Sequence, residues 1–433
     1  MRCALSSAAA ACLILTAACS SSAPAAGQIR IGVDLPLTGP EGRGAVQALN
    51  GIRFFARQHP ALDGFQITLT PTDDAGGGTP SPQLGAANLQ RFINDPALLA
   101  VIGPLDAAVA RAQIPLANQA GLAMLSPATT SPCLTRNVYL PTLLVPTRVA
   151  ISCKDAGLPS ADELRPSRVN NFFRLATTDE LQGPAAAEYA FKTLRVLRAA
   201  VISDHESYGQ ALADAFTARF EKLGGSVVGH LDLASQAGGD VLTFLKRMKS
   251  DRAGAIYFGG AAASQGCAIR AQMLGVFDPG EATPFLSGDG IAQDPACVDQ
   301  AGANATGIYA TVPAVDAATR ATATQTIAAF KAAFTGRDDY GPLTVVGYDA
   351  AAVLFAAIDR AIRAAGGQFP VRGNVVSQLS ATSGFAGVTG TIGFDSAGDT
   401  TNRIISIYEP AGSNPGDTWK LVDTVDYSAT LPY

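Results

Sequence analysis

The chain has 433 residues, enough for two domains of ordinary size. Hydrophobic residues make up 48% and charged residues 15%, which supplies a sizeable core and excludes a largely disordered chain. A net charge of -5 leaves no basic footprint for nucleic acid and no cationic face for acidic lipid.

The first predicted element is a leader. Arg2 precedes an alanine-rich apolar run that ends Leu13-Ile14-Leu15-Thr16-Ala17-Ala18-Cys19. The run is shorter than the about 20 residues a membrane-spanning helix needs, so residues 1–18 read as a secretory signal peptide. Leu15 to Cys19 resembles the lipid-attachment box of bacterial lipoproteins, with Thr16 where that box usually has Leu. The resemblance makes Cys19 the acylated first residue and 19–28 a small, polar tether. The plainer reading is an ordinary leader with Cys19 incidental. No later segment is long and apolar enough to span a membrane, so the expected location is outside the cytoplasmic membrane or in the periplasm, held only by the anchor. After Cys19 come Cys133, Cys153, Cys267 and Cys297, an even number that suggests two disulfides in an exported chain. Pairing by nearness, Cys133–Cys153 and Cys267–Cys297, is expected, although three connectivities are possible.

Strand and helix patterns then alternate. Residues 29–35 are β-rich, 45–57 helical, 66–72 a strand, 82–92 helical, 98–102 a short buried strand, 107–119 helical and 122–125 another strand. This is the order of a parallel sheet with helices on both faces. Residues 133–170 break the order, with Pro141, Pro146, Pro159 and Pro166. A second series has strands at 199–203, 226–231, 254–259, 284–287 and 307–311, with helices such as 208–223 and 240–249 between them. Helices near 316–335 and 343–365 precede a β-rich tail. Two α/β series imply two similar lobes, with a ligand site where the carboxyl ends of their strands face each other.

Several segments, in order, are similar to the type I periplasmic binding proteins, within the leucine/isoleucine/valine-binding family. They are Ile31-Gly32-Val33 with Pro36-Leu37-Thr38-Gly39, Asp73-Asp74-Ala75, Val101-Ile102-Gly103-Pro104, and Ser126-Pro127-Ala128-Thr129-Thr130 with Leu134-Thr135. Phe173-Arg174 with Asp179 and Gln182-Gly183 follows, then Asp204 with Tyr208-Gly209, Tyr257-Phe258-Gly259-Gly260, Gly347-Tyr348-Asp349-Ala350, and Phe385 through Asp399. The resemblance spans about residue 29 to about 400. It implies an α/β fold of two Rossmann-like lobes with parallel sheets and a three-segment hinge. The implied lobes are 29–177 with 313–390, and 178–312 with 391–433. It implies the extracytoplasmic solute-binding component of an ABC importer, binding an amino acid or related small polar solute and docking on a permease. The alternative is a ligand-sensing module of the same fold that signals to a partner protein.

The resemblance also implies site residues. A ligand carboxylate would meet backbone N–H groups and hydroxyls at Ala107, Ala128, Thr129 and Thr130, since helix N-termini favour anions. Thr130 offers a hydroxyl, or else caps a turn. Ala107 departs from the family's usual Ser. Asp289, in Ser287-Gly288-Asp289-Gly290, would pair with an α-amino group, or else serves a tight turn. Tyr208 would close over the ligand, or else acts as a capping aromatic; Asp179 is a ligand contact or a hinge cap. Ala261-Ala262-Ala263 stands where relatives can carry a large aromatic, which changes the contour. Arg43 reaches an anionic ligand group or is a solvated loop arginine.

Other chemistry finds little support. Asp204-His205-Glu206 is a poor metal cluster because consecutive residues at a strand end point apart. Gly-x-Ser-x-Gly, a P-loop and His-Glu-x-x-His do not occur, and the glycines near 39–44 lack dinucleotide spacing. Neither a cofactor nor an enzyme activity is expected.

Overall fold

A computed structural model describes residues 27–141, 150–233, 240–261, 265–277, 283–414 and 416–432. The expected leader and Cys19, and likewise Ala262 and Ala263, lie outside the described residues.

Two sheets organise the chain. The first has six strands, in the order Ala61–Leu62, Phe65–Asp73, Gln28–Leu35, Leu98–Ile102, Ala123–Ser126 and Phe172–Arg174. Its neighbours run parallel except at the short Ala61–Leu62 edge. The second has seven, in the order Ser226–Asp232, Arg198–Ser203, Ala255–Gly259, Phe285–Ser287, Ile308–Val312, Ile404–Pro410 and Trp419–Asp426. The first five are parallel; the last two, from the β-rich tail, are antiparallel. The sheets are therefore mostly parallel rather than wholly so. Trp419–Asp426 follows Ile404–Pro410 after a short return, which has room only for antiparallel pairing.

Strands Leu98–Ile102 and Ala255–Gly259 are buried along their whole length. Helices cover both faces, which is why these strands read as unbroken apolar runs. Ile29, Ile31, Val33 and Leu35 pack on one face against Leu49 and Ile52 of helix Gly42–Gln58 and Val353, Leu354 and Ile358 of helix Pro342–Ala364. Leu98, Val101 and Met124 belong to the opposite face with Leu89, Phe92, Ile114 and Ala117. Each such side chain contributes about 1.5–3 kcal/mol relative to exposure. The helices Gly42–Gln58 and Pro342–Ala364 approach backbone to backbone. A Cβ at Gly51 would overlap the Thr344 carbonyl oxygen, and one at Gly347 the Ala48 carbonyl oxygen.

The chain passes between the sheets three times: after Phe172–Arg174, after Ile308–Val312, and between Gly390–Ile392 and Ile404–Pro410. A buried ionic network binds these passages. Arg174 is fully buried; its Nε donates to Asp399 Oδ1 (2.7 Å), and its remaining nitrogens to the Thr129 and Ser131 carbonyls (3.3 and 2.7 Å) and the Thr135 hydroxyl (2.5 Å). Arg136 donates to Asp399 and Asp395, both at 2.7 Å. Burial favours the neutral form of Asp399, but Arg174 and Arg136 hold its carboxyl below the usual carboxylate range.

Cys133 is bonded to Cys153 and Cys267 to Cys297, the pairing by nearness. The first bridge lies in the proline-rich interruption, which has a role the sequence did not signal. Cys133, Tyr139, Leu140 and Cys153 pack on Ala211, Ala215 and Ala218 of helix Ser207–Lys222. The Tyr139 hydroxyl donates to Asp214 Oδ2 at 2.9 Å. A segment inserted between first-sheet strands thus straps onto a second-sheet helix.

Candidate functional site

The carboxyl ends of Ala123–Ser126, Arg198–Ser203, Ala255–Gly259 and Phe285–Ser287 carry the residues singled out in the sequence. Asp289 follows the last of these. Its Oδ1 accepts from the Tyr208 hydroxyl at 2.7 Å and from Gln182 Nε2 at 2.8 Å. The Gly290 N–H donates to the Tyr208 oxygen at 2.9 Å. Gly288 permits this approach, because a Cβ there would lie 2.7 Å from the Tyr208 hydroxyl and 3.1 Å from Gln182 Nε2. Burial raises the Asp289 carboxyl, and the bonds from Gln182 and Tyr208 counter it.

Asp179 opens helix Asp179–Glu188 and is buried. Its N–H donates to the Thr130 carbonyl at 3.1 Å, joining the first-sheet loop to the crossing helix. Burial pushes its carboxyl well above the ordinary value and nearby Asp289 adds to this, while the adjacent Thr130 side chain works against it. Neither Asp179 oxygen makes a hydrogen bond of normal geometry. Gln182 Oε1 and the Tyr257 hydroxyl are also buried and unpartnered, and both Asp179 and Asp289 push the Tyr257 hydroxyl upward after burial. Thr130, Asp179, Asp289 and Tyr208 thus form one junction. Gln182 and Tyr257 complete it without having been singled out as site residues. The available signal for Gln182 was its spacing of three from Asp179, which puts both on one helix face.

The other expected anion donors turn inward. Ser126 Oγ accepts from the N–H groups of Ala128 (3.3 Å) and Thr129 (3.0 Å) and from the Thr129 hydroxyl (2.8 Å). It passes its own proton to the Pro104 carbonyl at 2.7 Å. Only the three-residue 3-10 turn Pro132–Leu134 follows, so the helix N-terminus expected after this strand is absent. Ala107 does open a helix, Ala107–Gln119, behind Asp106, whose carboxylate accepts the Val109 N–H at 2.9 Å. The Ala261 N–H donates to Asp204 Oδ2 at 3.3 Å. Arg43 is partly solvent-exposed and pairs with Asp294 at 3.5 Å and with Asp338. His205 Nδ1 lies 2.6 Å from Asp232 Oδ2, and among the described residues no three His, Cys, Asp or Glu side chains are grouped to hold a metal ion.

An acidic rim adjoins the junction. Glu41 stands at the start of helix Gly42–Gln58. Burial, then Asp106 and Asp204, push its carboxyl up to about 7. Burial, then Asp34 and Asp106, push Asp74 up to about 8, and both Asp74 oxygens are buried without partners. Arg111 crosses the rim and donates to Ser207 Oγ at 2.9 Å.

Two α/β layers whose strand ends meet around buried carboxyls define a two-lobed solute binder. The sequence model for periplasmic binding proteins matches residues 28–413, and the chain belongs to that family, in its type I, branched-chain amino acid group. It is a family of solute-binding proteins rather than enzymes, and its members are exported. A Leu/Ile/Val-binding protein homolog from Brucella melitensis is 27% identical over 384 residues, 88% of this chain and 91% of the relative. An amino acid binding protein from Pseudomonas aeruginosa is 27% identical over 63% of each chain. In fold, the chain is similar to a leucine binding protein from Thermotoga maritima, with TM-score 0.72 and 23% identity over 92% of this chain and 99% of the other. It is equally similar to a solute binding protein from Rhodopseudomonas palustris solved with p-hydroxybenzoic acid, with TM-score 0.73 and 16% identity over 92% and 97% of the chains. No helix among the described residues is long and apolar enough to cross a membrane.

Proposed function

We propose that this protein captures an amino acid at the junction of Thr130, Asp179, Tyr208 and Asp289 and presents it to the permease of an ABC importer. Cys19 is the proposed lipid anchor that keeps it at the outer face of the cytoplasmic membrane or in the periplasm. The lobes are taken as 29–177 with 313–390, and 178–312 with 391–433.

One observation carries the reading. Neither Asp179 oxygen has a hydrogen bond of normal geometry, with only the Thr130 side chain adjacent, and Gln182 Oε1 is a buried acceptor without a donor, beside Asp289. Three such acceptors suit a group that is all donor, and an ammonium has three N–H bonds and no acceptor. Burying such atoms without partners costs stability unless a ligand completes them. The names of the Brucella and Pseudomonas relatives support the same solute class. Ala128 and Thr129 are already engaged with Ser126, so the ligand's carboxylate would fall to Thr130 and the Ala107 end of its helix, with help from Arg111.

A thermal-shift screen of amino acids, followed by calorimetry, tests this. A ligand that favours the native state raises the melting temperature. A free amino group should be required, and the N-acetyl derivative of any hit should not bind. Equal binding of the acetylated form would remove the ammonium from the junction.

A further inference from the structure

A cavity of about 650 Å³ lies apart from this junction, between the end of helix Gly42–Gln58, helix Pro342–Ala364 and the hairpin Phe385–Gly387 with Gly390–Ile392. None of its lining residues takes part in the site described above. One wall is aromatic: Phe55 stacks on His59 with centroids 4.3 Å apart and meets Tyr348 and Phe355 edge-on at 5.1 and 5.2 Å. Phe385 lines it as well.

The opposite wall is held by Asp349. Its carboxylate accepts the Val388 N–H (2.8 Å), the Thr389 N–H (2.7 Å) and the Thr389 hydroxyl (2.6 Å). A Cβ at Gly387 would lie 2.7 Å from Asp349 Oδ2, so glycine is required where the hairpin closes on this anchor. The carboxylate is therefore committed to the hairpin. Asp359, also in the lining, is paired with Arg363 at 2.9 Å.

Arg320 lines the cavity near Asp349, whose carboxyl its charge favours as an anion, but that carboxylate's hydrogen bonds go to the hairpin. Its Nε is buried without a partner, and its guanidinium makes no hydrogen bond or close ion pair among the described residues. An unpaired guanidinium donor is costly to bury, and a carboxylate answers it with matching, often bidentate, geometry. Apolar rings beside one oriented cation are the ingredients of a small-molecule site, and the volume lies within the usual range of about 300–1,000 Å³. Asp349 and Asp359 would oppose a multiply charged anion such as a phosphate ester.

We infer that this cavity is a second ligand site, separate from the lobe junction, that takes a monocarboxylate with an aromatic or branched apolar body: the acid on Arg320, the body against Phe55, Tyr348, Phe355 and Phe385. The inference does not depend on which solute the junction binds. Calorimetry on the mature protein with benzoate, and with benzamide as its uncharged twin, tests it. Benzoate should bind the wild type and Asp289→Ala equally, and benzamide should not bind. Arg320→Gln should weaken benzoate about tenfold or more, and Ala386→Trp, a substitution at an exposed lining residue, should block it. Should Arg320→Gln fail to fold, Ala386→Trp decides alone. Absence of benzoate binding, equal binding of benzamide, or loss on Asp289→Ala with no effect of the two cavity variants would each overturn it.

Discussion

Two places in this molecule bury charge between the sheets, and they do so in opposite ways. In the network around Arg174, the side chain gives its donors to Asp399, Thr129, Ser131 and Thr135, while Asp399 also accepts from Arg136. At the junction, Asp179, Gln182 and Tyr257 hold buried polar atoms without hydrogen bonds of normal geometry. A buried charge is tolerated when paired and hydrogen-bonded, and is expensive otherwise. The first arrangement fixes where three chain passages lie. The second stores an unmet demand that a ligand can satisfy, at the expense of stability in its absence.

Removing one partner from the matched network should have the largest effect. Arg174→Met leaves the buried Asp399 with Arg136 alone and should cost about 3–5 kcal/mol, read as a lower urea midpoint; a change under about 1 kcal/mol would mean the network behaves like a surface pair. At the junction the effect should fall on binding. Asp289→Ala should weaken the amino acid about tenfold to a hundredfold, as expected for a hydrogen bond to a charged group, with little change in the melting temperature of the free protein. If stability collapses while affinity holds, the two regions do not differ as described. Asp179→Asn sharpens the contrast, since its carboxyl is held far above its ordinary value. The substitution should raise the melting temperature of the free protein while weakening binding, and a loss in both would mark it as structural.

The smallest effect is the pH dependence of the rim. The folded values of Asp34, Glu41 and Asp74 are raised to about 6, 7 and 8. The folded state therefore keeps protons that the unfolded chain has already released, and stability must fall as pH rises through this window. The contribution is fully present below the unfolded carboxylate range and is lost by about pH 8. Melting curves from pH 5 to pH 8 should show the decline, and Glu41→Gln should flatten it near 7. A rising curve would mean that the rim carboxyls are stabilised as anions.

Much of the fold was legible in the sequence because its signals are local. The unbroken apolar runs at 98–102 and 255–259 are what strands buried on both faces require. Four cysteines in an exported chain pointed to two disulfides with three possible pairings, of which the near one, Cys133–Cys153 and Cys267–Cys297, is formed. Tyr208 and Asp289, singled out separately, are hydrogen-bonded. Other features gave no local sign. Arg43 looked like a free loop cation but pairs with Asp294 and Asp338, both more than two hundred residues away. Ala128 and Thr129 looked available, yet a hydroxyl two and three residues earlier occupies their donors. The strap from Cys133 to Cys153 read only as an interruption, because its partners Ala211, Ala215 and Ala218 are small residues on a distant helix.

Local sequence sets the elements: two series of strands and helices, with glycines at Gly51, Gly347 and Gly288 where backbones or side chains must approach closely. Which polar atoms are satisfied is settled in three dimensions. Hydrogen-bond supply and demand is settled between residues such as Arg174 and Asp399 that share no neighbourhood along the chain. Periodicity says which face of an element is buried; it does not say whether a buried carboxyl will find a donor there, and that difference separates the clamp from the site.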